Sequence, residues 1–267
     1  MNLKDLTDGV ISLVYEVGEF IRHENLHFNQ QHIEYKGVND LVSYVDKTAE
    51  QKIVKKLQEL LPEAGFITEE KTINKKGEAF NWIVDPLDGT TNFIHGIPAF
   101  SISIALQQDN ELVLGVVYEI NRDECFSAWK NGGAYLNGNK ISVSGNETVE
   151  KSLLATGFPF YNFDKLELYI NLFRELTQRC QGLRRIGSAA VDLAYTACGR
   201  FDGYFEYNIN LWDIAAGIVL VREAGGEVVN FTGEEEFPVS REVVATNGKI
   251  AGSLLSIVQK HFNKKSD

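Results

Sequence analysis

Apolar residues Leu3, Leu6, Val10, Leu13, Val14, Val17, Phe20 and Ile21 recur at three- and four-residue intervals, the spacing that lines one face of an α-helix. The chain therefore opens on a long amphipathic helix. The polar stretch HFNQQHIEYKGVND, residues 27–40, breaks that period and reads as an exposed loop. Ala49, Ile53, Leu57 and Leu60 restore helical spacing until Pro62, which helps to close the helix. GFITEE, residues 65–70, reads as a short strand ending in acid, and Trp82-Ile83-Val84 as a buried strand. Ser101 to Gln107, Leu112 to Tyr118 and Glu124 to Trp129 form three further strand patterns, the first two joined across Asp109-Asn110 as in an antiparallel meander. NGGAYLNGNK, residues 131–140, is turn-rich.

The second half alternates. Helical patterns run from about Lys165 to Thr177 and from Ser188 to Ala197, a strand follows at GYFEY, a helix after Asp213, a strand at GEVVN and a closing helix from about Ile250 to Phe262. No repeat, low-complexity tract or linker interrupts the chain, so one domain over residues 1–267 is expected, with an N-terminal α+β half (about 1–145) and a C-terminal α/β half (about 146–267). This mixture of α and β predicts layered sheets and helices.

A chain of 267 residues with 44% hydrophobic residues and 5 prolines can bury a sizeable core. Charge narrows its partners. Lys and Arg number 26 against 37 Asp and Glu, a net charge of -11, which argues against nucleic acid as the main ligand. A small phosphorylated substrate stays open if metal ions bring the missing positive charge. The three cysteines are odd in number and lack C-x-x-C spacing, so neither a disulfide framework nor a zinc site is indicated and a reducing cytoplasm fits. Lys4, Asp5, Asp8 and Glu16 interrupt the first apolar positions, and no run approaches about 18 apolar residues, so neither a signal peptide nor a membrane span is expected.

WIVDPLDGTTNF, residues 82–93, carries the densest chemistry. Pro86 biases Asp85 towards an extended backbone at the strand's end, and the chain is expected to turn through Leu87 and Asp88. Two carboxylates and a carbonyl then converge, a hard oxygen set that suits Mg²⁺. Gly89-Thr90-Thr91 can open a short helix whose N–H groups face an anion. The plainer alternative is a strand and an ordinary turn, since Asp-Pro and Asp-Gly are common turn dipeptides. Glu69-Glu70 can reach the same sheet edge or be a solvated pair. Asp213, in LWDIAAGIVLVREAGG, can join the acids or be a simple N-cap. Asp192, within GSAAVDLAY, is assigned no catalytic role.

Together, WIVDPLDGTTNF and LWDIAAGIVLVREAGG resemble both signatures of the inositol monophosphatase family, magnesium-dependent and lithium-sensitive phosphatases that share a fold with fructose-1,6-bisphosphatase. KGVNDLVSYVDKTAE, FITEE, GGAYLNG, TGFPF and RRIGSAAVDLAYTACGRFDGYFE also look like family segments in the expected order. The resemblance implies a layered αβαβα sandwich and a homodimer. It places Glu69, Asp85, the Leu87 carbonyl, Asp88 and Asp213 at metal-binding positions, and Thr90 where a hydroxyl, with Glu69, activates the attacking water. Gly89 and Thr90 fall where backbone N–H groups hold phosphate. Gly187, Ser188 and Ala189 match a pocket-lining segment, and Glu206 and Asp213 match acceptors of substrate hydroxyls. Lys36 matches a basic loop residue near the metals, with an ordinary exposed lysine as its rival. Arg184 and Arg185 are expected at the surface or a subunit contact.

Four acids and a phosphate dianion sum to about six negative charges, which roughly three Mg²⁺ would neutralise, so two or three ions are expected and should bind cooperatively with substrate. The expected substrate is a small phosphorylated polyol, myo-inositol 1-phosphate first. Fructose 1,6-bisphosphate, histidinol phosphate, NADP and adenosine 3',5'-bisphosphate are the alternatives within the family. A regulatory binding partner of the transcription machinery is the alternative of a different class.

Overall fold

The computed structural model describes residues 2–28, 33–37, 40–159, 163–235 and 241–262, excepting the side chains of 33–37 and 40–42. The opening helix α1 (Leu3–His27) is capped by Asn2, whose side chain accepts from the Lys4 N–H. A two-stranded antiparallel hairpin follows, β1 (Ile33–Gly37) and β2 (Asp40–Ser43). The loop expected over residues 27–40 therefore holds strand, because Ile33, Tyr35, Leu41 and Val42 are β-formers whose pairing outweighs the polar residues between them. Helix α2 (Tyr44–Leu60) starts at a capping box in which Ser43 and Asp46 satisfy each other's backbone N–H groups.

The larger sheet has seven strands in the order β3-β4-β5-β6-β7-β8-β9. They are β3 (Gly65–Thr68), β4 (Phe80–Asp88), β5 (Ser101–Gln108), β6 (Glu111–Glu119), β7 (Glu124–Trp129), β8 (Gly133–Leu136) and β9 (Asn139–Ile141), with the short helix α3 (Thr90–Ile94) between β4 and β5. The expected meander is present as β5 to β7. Two expectations need correction. Residues 131–140 carry the β8–β9 hairpin as well as turns at 131–132 and 137–138, with positive φ at Asn131, Gly133, Asn137 and Gly138. And β4 does not turn at Leu87: it runs on to Asp88 through a bulge, Asp85 opposing Ser103 and Asp88 opposing Ser101.

The smaller sheet has the order β11-β10-β12-β14-β13. It comprises β10 (Leu153–Thr156), β11 (Gly182–Arg184), β12 (Gly203–Tyr207), β13 (Glu227–Val229) and β14 (Glu242–Thr246). β10, β11 and β14 are not expected from the sequence, whereas β12 and β13 match the GYFEY and GEVVN patterns. Helices α4 (Leu166–Arg179), α5 (Ala189–Ala197), α6 (Leu211–Glu223) and α7 (Ala251–Phe262) complete the described elements.

Three buried apolar clusters stack these elements into five layers. The first joins α1 and α2 to one face of the large sheet. In the second, α5 and α6 lie between the two sheets, and the third packs α4 and α7 on the far face of the small sheet. Every residue of α6 from Ile214 to Val221 is buried, as a helix covered on all sides requires. The layered αβαβα arrangement is thus the fold, and among the described residues no helix is long and apolar enough to cross a membrane.

The α6 layer approaches the large sheet so closely that a Cβ at Gly115 of β6 would fall on the Ala216 backbone. Gly115→Val is expected to cost at least about 1–3 kcal/mol, the range for overpacking, seen as a lower urea midpoint. An unchanged midpoint would show that α6 can shift away from the sheet.

Candidate active site

The bulge in β4 has a chemical consequence. An ordinary strand alternates its side chains between faces, whereas the extra residue re-aims the end of β4 and leaves Asp85, Leu87 and Asp88 all on the wall of one cavity. Asp85 is 1% exposed and its Oδ1 accepts from the Leu87 N–H at 2.9 Å. Asp88 Oδ2 accepts from Ser188 Oγ at 2.6 Å and from the Ala190 N–H at 2.7 Å, so the first turn of α5 fixes the end of β4. Gly89 follows with φ 95°, and a side chain there would press on the carbonyls of Ala99 and Gly187.

Glu69 reaches the same wall from the end of β3, where its N–H bonds the Val84 carbonyl at 3.2 Å. Buried Glu50 of α2 holds the flanking chain, accepting from Thr68 Oγ1, the Glu70 N–H and the Thr72 N–H and Oγ1 at 2.7–2.9 Å. Asp213 arrives from α6. It is the third residue of the helix rather than its cap, which is Asn210, and its Oδ2 accepts from the Asn210 N–H at 2.8 Å.

Burial raises the pKa of all four acids. Glu69 is pushed well up by burial and then by Asp213. Asp85 rises by burial and then by the charges of Glu69, Asp88 and Asp213. Asp213 rises by burial and then by Asp88. Asp88 goes to about 6 through burial, opposed by its Ser188 and Ala190 bonds.

The donor set of carboxylates and a carbonyl fits a hard divalent cation. The donors line one cavity, and among the described residues no three His, Cys, Asp or Glu side chains stand in metal-holding geometry. Such a partial protein site is the kind Mg²⁺ completes with waters and substrate oxygens.

The cavity, of about 160 Å³, brings together Glu69, Asp85, Leu87, Asp88, Gly89, Thr90, Gly187, Ser188, Ala189, Glu206 and Asp213. Lys36 lies in β1, and its side chain is outside the described residues. Glu206 accepts from the Tyr204 hydroxyl, and burial moves its pKa to about 7. Its carboxylate occupies the space a side chain at Gly157 would take.

Three residues were missed or misplaced in the sequence. Buried Asp46 Oδ1 lies 3.0 Å from Thr90 Oγ1, which is also 3.0 Å from the Leu87 carbonyl. Its signals were the Ser43-x-x-Asp46 capping pattern and its place in the segment KGVNDLVSYVDKTAE. Arg185 is on the cavity wall, not only at the surface. Asp192 lines the cavity too.

Fold and site together define a layered phosphatase architecture of the fructose-1,6-bisphosphatase-like kind, with an acid-rich cavity at the end of its large sheet. The chain belongs to the inositol monophosphatase family, whose pattern matches residues 2–263. That family is generally metal-dependent. The chain is 44% identical over 232 residues to the Nus factor SuhB of Pseudomonas aeruginosa, covering 85% of this chain and 86% of that protein. It is 39% identical over 234 residues to an inositol-1-monophosphatase of Mesorhizobium japonicum, covering 87% and 88%. Among solved structures, the extragenic suppressor protein suhB of Bartonella henselae superposes with a TM-score of 0.90 at 36% identity, covering 96% of this chain and 99% of that one.

Raised carboxyl pKa values mean that the folded protein binds more protons than the unfolded chain above the usual carboxylate range. Metal-free stability should therefore fall as pH rises from about 4 through the raised values, about 6 for Asp88 and about 7 for Glu206. The expected result is a Tm for EDTA-treated protein that drops between about pH 5 and pH 8, with a larger rise on adding Mg²⁺ at the higher pH. A Mg²⁺ effect that shrinks with rising pH would contradict the electrostatic account.

Proposed function

We propose that the protein is a Mg²⁺-dependent phosphomonoesterase that hydrolyses a small polyol phosphate, myo-inositol 1-phosphate first. The observation that carries this reading is the meeting of Glu69, Asp85, Asp88 and Asp213 on one cavity wall beside the Thr90–Asp46 pair. Glu69, Asp85, the Leu87 carbonyl, Asp88 and Asp213 would hold two or three Mg²⁺ ions. Bound there, the ions supply the positive charge a phosphate dianion needs and make a water easier to deprotonate.

The chain's own groups set up the rest. Thr90 Oγ1 has one proton, and Asp46 and the Leu87 carbonyl both offer acceptors for it. That leaves the Thr90 lone pairs to accept from the attacking water and orient it. Glu69, whose pKa burial raises, is proposed to take the water's proton. The Gly89 and Thr90 N–H groups are proposed to hold the transferring phosphoryl group in line. Glu206 and Asp213 accept from substrate hydroxyls, and Gly187, Ser188 and Ala189 shape the pocket. No covalent phosphoenzyme is required. A homodimer in the cytoplasm is part of the same proposal.

A second reading, a regulatory binding partner of the transcription machinery, is favoured by the relative named Nus factor SuhB. Phosphate release separates the two. The panel is inositol 1-phosphate, fructose 1,6-bisphosphate, histidinol phosphate, adenosine 3',5'-bisphosphate and NADP, each with and without Mg²⁺. Mg²⁺-dependent preference for inositol 1-phosphate supports the first reading, another preference changes the substrate, and no release from any favours the second.

Asp85→Asn and Asp213→Asn are expected to lower kcat/KM by roughly 100-fold or more, the scale of losing a group that holds the transition-state charge. Both should stay folded by circular dichroism. Near-normal turnover in either would overturn the metal assignment.

A further inference from the structure

The proposed reaction leaves two polar residues of the cavity lining without a role. Asp192 Oδ1 and Asn208 Nδ2 are both buried and, among the described residues, neither has a hydrogen-bond partner. Both residues line the cavity. Asp192 is 2% exposed and sits one turn past Ser188, which caps α5. Its backbone is satisfied, the N–H by the Ser188 carbonyl and the carbonyl by Thr196 Oγ1. The carboxylate Oδ1 is left over. Asn208 follows β12 with φ 63°, a left-handed conformation that Asn tolerates better than most side chains.

Burying a polar group unpaired is costly, and native proteins leave few such groups without a partner. An unpaired acceptor and an unpaired donor on one cavity are the complement of a hydroxyl, which can donate and accept at once. An ammonium group fits less well. Arg185 already supplies positive charge to both Asp192 and Glu206, and Asn208 Nδ2 has only a proton to offer.

We propose that Asp192 and Asn208 are specificity-determining residues, Asp192 accepting from and Asn208 donating to hydroxyl oxygen on the phosphorylated substrate. This rests on the phosphatase reading and extends it: the alcohol part of the ester must carry hydroxyls beyond those that Glu206 and Asp213 receive.

The test compares kcat/KM for the best hydroxylated ester of the panel with that for phenyl phosphate, whose alcohol part has no free hydroxyl. Asp192→Ala removes the acceptor, and Asn208→Gly removes the donor while keeping the left-handed backbone accessible. Each should lower the polyol-to-phenyl ratio by about 10- to 100-fold, on the scale of losing one hydrogen bond to a buried group. Asp192→Asn, isosteric and still an acceptor, should recover part of the ratio. The Tm of Asp192→Ala should equal or exceed that of the wild type, because an unpaired buried carboxyl group is lost.

An unchanged ratio in both alanine and glycine variants would overturn the inference. So would equal losses on both esters, or a fall in Tm for Asp192→Ala, since either marks a structural role. Wild-type protein that hydrolyses phenyl phosphate without preferring the polyol ester overturns the inference and leaves the phosphatase reading standing. Failure to hydrolyse either ester overturns both.

Discussion

Crowding of negative charge at the end of β4 is the constraint on which the site depends. Asp85 and Asp88 come from that strand, Glu69 from its parallel neighbour β3, and Asp213 from a helix packed between the sheets. Burial raises the pKa of each, and for Glu69, Asp85 and Asp213 the other acids add to the rise. A protein would gain stability by losing such a cluster, so its presence calls for a ligand of opposite charge. In the proposed reading, divalent cations supply that opposite charge and leave room for a phosphate dianion.

The layers exist, in this view, to hold those acids still. α6 is apolar all round because sheets cover it on both sides, which makes it a rigid carrier for Asp213. The α5 terminus is tied to β4 through Asp88, and Asn92 of α3 donates to the carbonyls of Ala99 and Ile186, linking the end of β4 to the segment before Gly187. Glu50 anchors the chain around Glu69 from the opposite layer. Residues far apart in sequence thus reach the cavity from rigid elements, as an aligned displacement requires.

The long elements were legible in the sequence because their periods repeat. α1 and α2 each bury one face over several turns, and β5–β7 are long apolar runs buried on both faces of the large sheet. β10, β11 and β14 were not, although β3, β12 and β13 are no longer, because in runs of three to five residues alternation alone does not separate a strand from a loop. The bulge in β4 was hidden for a different reason: Asp-Pro and Asp-Gly signal a turn locally, and only pairing with Ser101 and Ser103 keeps the strand going. Asp85, Asp88 and Asp213 were marked by their flanking patterns, whereas Asp46 and Asp192 lie inside helices where an acid looks like a cap or a solvated face. Their roles depend on what faces them across the layers, and a single helix does not carry that information.

The account stands on the claim that these acids hold metal ions. The most direct measurement is an anomalous difference map from crystals grown with Mn²⁺, which takes the same oxygen ligands as Mg²⁺. The account predicts peaks within coordination distance of the Asp85 and Asp88 carboxylates and the Leu87 carbonyl, with Glu69 and Asp213 completing the sites. A fully occupied crystal with no peak at that end of β4, or with Mn²⁺ held only elsewhere, would contradict it.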